Sequence, residues 1–333
     1  MRTSRTAKGV TACLAVIALA AGCSSSGGKD DEDRSGDGGG GGKGVNTPRL
    51  KIAMVTHSGE GDTFWDIVRS GAKQAAAKDN VEFLYANDKQ AKGQAELVQS
   101  FVDKKVDGLV VTLAKPEAMR AVLAKAADAD IPVITINSGG EFSERFGALS
   151  HIGQDESVAG EAVGDELNTR GKKKALCVIH EQGNVSLEQR CAGVKKTFDG
   201  TVENLNVEGT DAPGAQSSIS AKLQATEDID AVVTLGAPIA AYSVKAKDEA
   251  GSEAEVDTFD LNAEVVKQLK AKEVGFAVDQ QPYLQGYQAV DLLWLYKTNA
   301  NVLGGGKPVL TGPAVVTGKD VPKLEKYTAR GTR

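Results

Sequence analysis

Asp62, Phe64 and Trp65 stand within four positions of one another directly after an apolar, β-branched run. Asn137, Arg190, Asp260 and Gln280 occupy comparable places further along the chain, each at or shortly after the end of such a run. The set offers aromatic faces, amides, carboxylates and a guanidinium. A polyhydroxylated ring presents C–H faces that pack on aromatic side chains, and hydroxyls that both donate and accept, so these residue types can satisfy every group it buries. Covalent chemistry is poorly served: no cysteine nucleophile belongs to the set and no Gly-x-Gly-x-x-Gly follows a strand. An acid–base reading as a glycoside hydrolase would have to use Asp62 and Asp260, which come from distant strands. Each residue also has a plain structural alternative. Phe64 and Trp65 could start a helix in the core, and Asp62 and Asn137 could be turn residues. Asp260 could cap a helix beginning near Ala263, Arg190 could pair with Glu188 or Glu181 at the surface, and Gln280 could sit in a loop. His57 and Glu181 lie within plausible reach of the same place.

The elements that must position these residues alternate in type. Strand-like runs cover 50–56, 81–86, 108–112, 132–136, 175–180, 202–209, 231–235, 256–259 and 275–278. Helical, amphipathic segments fit between them at 64–78, 92–104, 117–129, 157–169, 187–198, 217–225, 239–249, 263–272 and 283–296. Repeated strand–helix–strand order predicts an α/β fold with parallel sheets covered by helices on both faces. A chain of this length more readily forms two doubly wound lobes than one large sheet. In such sheets ligands sit outside the carboxyl ends of the strands, which is where the candidate residues fall.

Other chemistry is excluded in turn. His57, His151 and His180 are scattered without the spacing of a metal site, so neither metal nor cofactor is expected. Glycine-rich Gly41-Gly42-Lys43-Gly44 and Gly304-Gly305-Gly306-Lys307 lack both a preceding strand and the Ser or Thr of a phosphate loop. Cys177 and Cys191 are left as either a disulfide or two buried thiols.

The first residues carry Arg2, Arg5 and Lys8 and no acid, followed by an apolar run from Val10 to Ala21. That is the pattern of a signal peptide over residues 1–22, too short to span a bilayer as a helix. Leu19-Ala20-Ala21-Gly22-Cys23 resembles a bacterial lipobox, with leucine one position early, and implies a lipid on Cys23. Residues 23–48 are rich in Ser, Gly and acids and read as a flexible tether. The net charge is −6 for the whole chain. Residues 1–22 hold three of the positive charges, so the remainder stands at −9. That balance argues against nucleic acid as a partner.

These features together resemble the type I periplasmic solute-binding proteins, in particular the ribose-binding branch of sugar importers. The resemblance rests on Ile52–Thr56, Asp62-Thr63-Phe64-Trp65, Ser70-Gly71-Ala72, Val106–Val111, Ile131–Ile136 and His151–Asp155 with Ala159-Gly160. It implies two lobes joined by three crossings, with 49–153 plus 281–311 in the first and 154–280 plus 312–326 in the second. It places the ligand on Asp62, Phe64, Trp65, Asn137, Arg190, Asp260 and Gln280. Where the family has an Asp-Arg pair, this chain reads Asn137-Ser138, and Gly236 replaces an asparagine. Those departures leave pentoses, hexoses, inositols and other polyols open as ligands. The implied role is that of a lipid-anchored, monomeric substrate-binding protein on the outer face of the cytoplasmic membrane. It would serve an ABC permease and its ATPase without turnover. A sensor subunit for a signalling receptor is the alternative.

Overall fold

Two six-stranded sheets, each flanked by helices, build the chain from Pro48 to Arg333, and the computed structural model describes residues 48–59 and 62–333. The signal-peptide segment, Cys23 and the tether up to residue 47 lie outside the described residues. The first sheet contains β1 (Lys51–Thr56), β2 (Glu82–Asn87), β3 (Gly108–Val111), β4 (Val133–Ile136), β5 (Ser150–Gly153) and β11 (Val309–Leu310). Its order is β11-β5-β4-β3-β1-β2, with all pairings parallel. The second contains β6 (Lys174–Ile179), β7 (Thr201–Asn206), β8 (Ala231–Thr234), β9 (Glu255–Phe259), β10 (Val274–Asp279) and β12 (Ala314–Thr317). Here the order is β12-β10-β9-β8-β6-β7, parallel except for β12. The expected class, α/β with two doubly wound lobes, is the observed one.

The pattern of buried residues explains the layers. Central strands such as Gly108–Val111 and Ala231–Thr234 are buried at every position, as strands covered on both faces must be. Apolar residues of the helices recur every three or four positions: Trp65, Val68, Ala72 and Ala76 on α1 (Thr63–Lys78) form one such stripe. That stripe packs against α10 (Pro282–Asn299) in the core of the first lobe. The two helices approach closely because Gly71 and Gly286 face each other's backbones. A Cβ at either would stand 2.0 Å from the carbonyl oxygen of Tyr283 or Val68.

The chain passes between the sheets three times: after β5, after β10, and between β11 and β12. Three strands had no counterpart among the sequence-based runs. β5 carries Ser150 and His151, and β11 and β12 are two and four residues long between Gly and Pro, so none shows the apolar run on which strands are recognised. A short helix α4 (Gly140–Ser143) and the final α11 (Val321–Ala329) were likewise unread. In the second lobe Cys177 on β6 and Cys191 on α6 (Val185–Thr197) are joined as a disulfide, the outcome that the sequence left open.

Candidate functional site

A cavity of about 290 Å³ lies between the carboxyl ends of the two sheets, and all seven candidate residues line it. The first lobe supplies the aromatic wall. Asp62 caps α1 by accepting the Phe64 amide at 3.0 Å, and so fixes where the helix begins and where the next two rings point. Phe64 and Trp65 meet edge to face, their centroids 5.0 Å apart, and Trp65 makes the same contact with His57. The His57 ring is held in turn by Thr112 Oγ1, 2.8 Å from Nδ1.

Asn137 and Asp260 each stand immediately after a strand and each adopt the left-handed backbone region, with φ of 63° and 68°. Non-glycine residues seldom do so without cause, and such strain gathers at ligand sites. Both are buried, and Gln280 joins them across the lobes. The Asn137 amide donates to Gln280 Oε1 at 3.1 Å, and Gln280 Nε2 donates to Asp260 Oδ1 at 2.7 Å. The Ser138 hydroxyl donates to Asn137 Oδ1 at 2.7 Å, and Gln285 Nε2 also donates to Gln280 Oε1 at 2.9 Å. The alternative of Asp260 as a helix cap is not realised, because Asn262 caps α9 (Ala263–Ala271) through the Val265 amide.

Arg190 is 3% exposed. It pairs not with Glu188 or Glu181 but with Glu156, a residue that nothing in the sequence singles out. The fork is two-pronged: Nε donates to Oε2 at 2.6 Å and Nη2 to Oε1 at 3.1 Å, while Nη1 donates to the Leu235 carbonyl at 3.0 Å. The guanidinium carbon stands 4.6 Å from the centre of the Phe259 ring. Its charge is therefore neutralised within the protein. Glu156 opens α5 (Glu156–Thr169), which packs closely on α6, and only that packing brings the two residues together.

Burial shapes the two cavity carboxylates. It pushes Asp260 up to about 7 against the attraction of Arg190, and Asp62 up to about 6 against the hydrogen bond from Phe64. His57 is lowered by burial, in spite of the nearby Glu181.

Direct bonds also join the lobes beside the cavity. The Val185 amide donates to the Ala114 carbonyl at 3.1 Å, Asn184 Nδ2 lies 3.3 Å from His57 Nε2, and Lys115 stands 3.2 Å from Glu181. Asn184, Glu156 and His180 were absent from the sequence-derived set. Asn184 could have been noticed as the N-cap of α6, where its side chain accepts from Ser186. Among the described residues no group of three or more His, Cys, Asp or Glu could hold a metal ion, and no helix is long and apolar enough to cross a membrane.

Comparison with known proteins fits this architecture. The family described as periplasmic binding protein domain matches residues 52–300. A carbohydrate transporter of Acidothermus cellulolyticus, solved in complex with myo-inositol, is 47% identical, covers 86% of this chain with 100% of its own, and superposes with a TM-score of 0.85. A solute-binding protein of Burkholderia graminis, solved with D-arabinose, shares the fold at 22% identity, with 83% and 98% of the two chains covered and a TM-score of 0.74. The xylose/arabinose-binding protein XylF of Sulfolobus acidocaldarius is 23% identical over 219 residues, 60% of this chain and 54% of that protein. This chain thus spans about half the length of that curated relative. With two lobes, a cleft at the strand ends and a family match over most of its length, the chain belongs to the periplasmic binding proteins of the type I, two-lobed fold.

Proposed function

We propose that this chain is the substrate-binding lipoprotein of an ABC importer, and that it captures a neutral cyclic polyol, with myo-inositol the first candidate, in the cleft between its lobes. The supporting observation is the balance of donors and acceptors in the cavity. Asp62 and Asp260 present acceptors, whereas Asn137 and Ser138 spend hydrogen-bonding capacity on each other and on Gln280. Arg190 carries the one guanidinium on the wall and already answers to Glu156. Lys89, the other cation on the wall among the described residues, stands 3.9 Å from Glu208, so both positive charges there already face a carboxylate. A ring bearing a hydroxyl on every carbon supplies a donor for each of these acceptors. The volume lies at the small end of ligand cavities and suits a single ring. The relative at 47% identity was solved with such a cyclitol bound.

Capture works through motion of the lobes, divided at 49–153 plus 281–311 and 154–280 plus 312–326, about the three connecting segments. Ligand held by Phe64 and Asn137 on one side and by Arg190 and Asp260 on the other favours the closed form, and only that difference in affinity drives closure. Closure then offers the permease one fixed surface. Calorimetry with myo-inositol, scyllo-inositol, ribose and glucose should rank the cyclitols first, and small-angle scattering should show compaction on binding. Absence of binding to any of the four, or binding with an unchanged radius of gyration, overturns the reading. The lipid anchor is tested separately: native protein should carry a diacylglyceryl adduct on Cys23 by mass spectrometry, and an unmodified mature N-terminus elsewhere would refute it.

A further inference from the structure

His180 follows β6 directly and lines the cavity, yet its imidazole has no hydrogen-bond partner among the described residues. Its Nδ1 is sealed from solvent. Burial holds the ring near 4, so it is neutral at physiological pH and carries a single proton. Buried N–H groups without an acceptor are rarer than acceptors without a donor, which puts that proton on Nε2. The Cε1–Nε2 edge is turned toward Gly236, another residue of the cavity wall. A Cβ at Gly236 would stand 3.1 Å from Cε1 and 3.4 Å from Nε2, against 3.9 Å from Nδ1. The backbone of Gly236 is extended, with φ of −172°, so an alanine is allowed there by conformation and opposed only by the imidazole.

We propose that His180 is a ligand-contacting, specificity-determining residue whose Nε2–H donates to a hydroxyl oxygen of the bound polyol, and that Gly236 is bare in order to leave that ring edge open. The assignment rests on the polyol reading and deepens it. In a cavity whose carboxylates only accept when ionised, a neutral imidazole adds a donor without adding charge. One ring hydroxyl can then donate to Asp260 or Asp62 while another oxygen accepts from His180, which selects among stereoisomers by where the donor falls.

The test is titration calorimetry at pH 7.5 with myo-inositol, on the wild type, His180→Ala, Gly236→Ala and the double variant. Losing one neutral hydrogen bond should weaken His180→Ala about fivefold. Gly236→Ala should weaken binding to a similar degree, and adding it to His180→Ala should cause no further loss, because the two changes act through one contact. Thermal melting of the ligand-free His180→Ala protein should fall by no more than the packing of one truncated ring costs, since the imidazole holds no hydrogen-bond partner among the described residues. Wild-type binding that His180→Ala leaves within a factor of two, or a loss of affinity matched by a loss of stability beyond that packing cost, overturns this assignment alone. A wild type that does not bind myo-inositol rejects the reading of the site and this assignment with it.

Discussion

Replacing Glu156 by Gln keeps the shape of the side chain and removes the charge that balances Arg190. Both partners are buried, at 5% and 3% exposure, and the fork closes at 2.6 and 3.1 Å. Breaking a buried pair from one side costs about 3–5 kcal/mol, because the remaining charge is left desolvated and unpaired. The lower end applies here, since Gln can still accept one hydrogen bond and the guanidinium keeps its bond to the Leu235 carbonyl. At roughly 2–4 °C per kcal/mol for a body of this size, ligand-free Glu156→Gln should melt about 6–12 °C below the wild type at pH 6. Asp260 supplies a compensating negative charge once it ionises, so the deficit should shrink at pH 8. Adding Arg190→Met should restore part of the stability while abolishing ligand binding, as expected if the cost lies in an uncompensated charge rather than in lost packing. A melting temperature within 2 °C of the wild type at both pH values would refute the reasoning, and so would a double variant less stable than Glu156→Gln alone.

The raised carboxylates give a pH dependence of definite sign. Asp260 near 7 and Asp62 near 6 hold their protons longer when folded than when unfolded, so ligand-free stability should fall as pH rises from about 4 through 7, followed by denaturant titration at each pH. Affinity for a hydroxyl-donating ligand should change in the opposite direction, weakening as pH falls through 7 and then 6 and the acceptors become protonated; a flat profile from pH 5 to 8 in calorimetry would contradict this. The Cys177–Cys191 bridge spans 14 residues, so Cys177→Ala/Cys191→Ala should lose about 3 kcal/mol by urea denaturation while binding with unchanged affinity in the absence of denaturant, where it remains folded.

The sequence by itself determined the layers. Alternation of β-branched runs such as Lys51–Thr56 with amphipathic stretches such as Thr63–Lys78 requires parallel sheets flanked by helices, because each periodicity has one way to bury its apolar face. It also determined which residues stand at strand ends, and those at 62, 64, 65, 137, 190, 260 and 280 do line one cavity. Strands β5, β11 and β12 escaped because short segments with Ser, His, Gly or Pro carry no periodic signal, and they take their hydrogen bonds from neighbours that the fold has already placed. What tertiary structure alone decided is pairing. Nothing local to Arg190 announces Glu156, 34 residues away, over Glu188 two residues before it, and nothing near Asn137 announces Gln280. The state of Cys177 and Cys191 was likewise decided by the seating of α6 against β6. The openness of the cavity beside His180 was decided by Gly236 on another strand's end. Local sequence sets φ, ψ and which face is apolar, whereas a hydrogen bond between distant residues depends on how two finished surfaces meet, and so becomes visible only once the sheets and helices are packed.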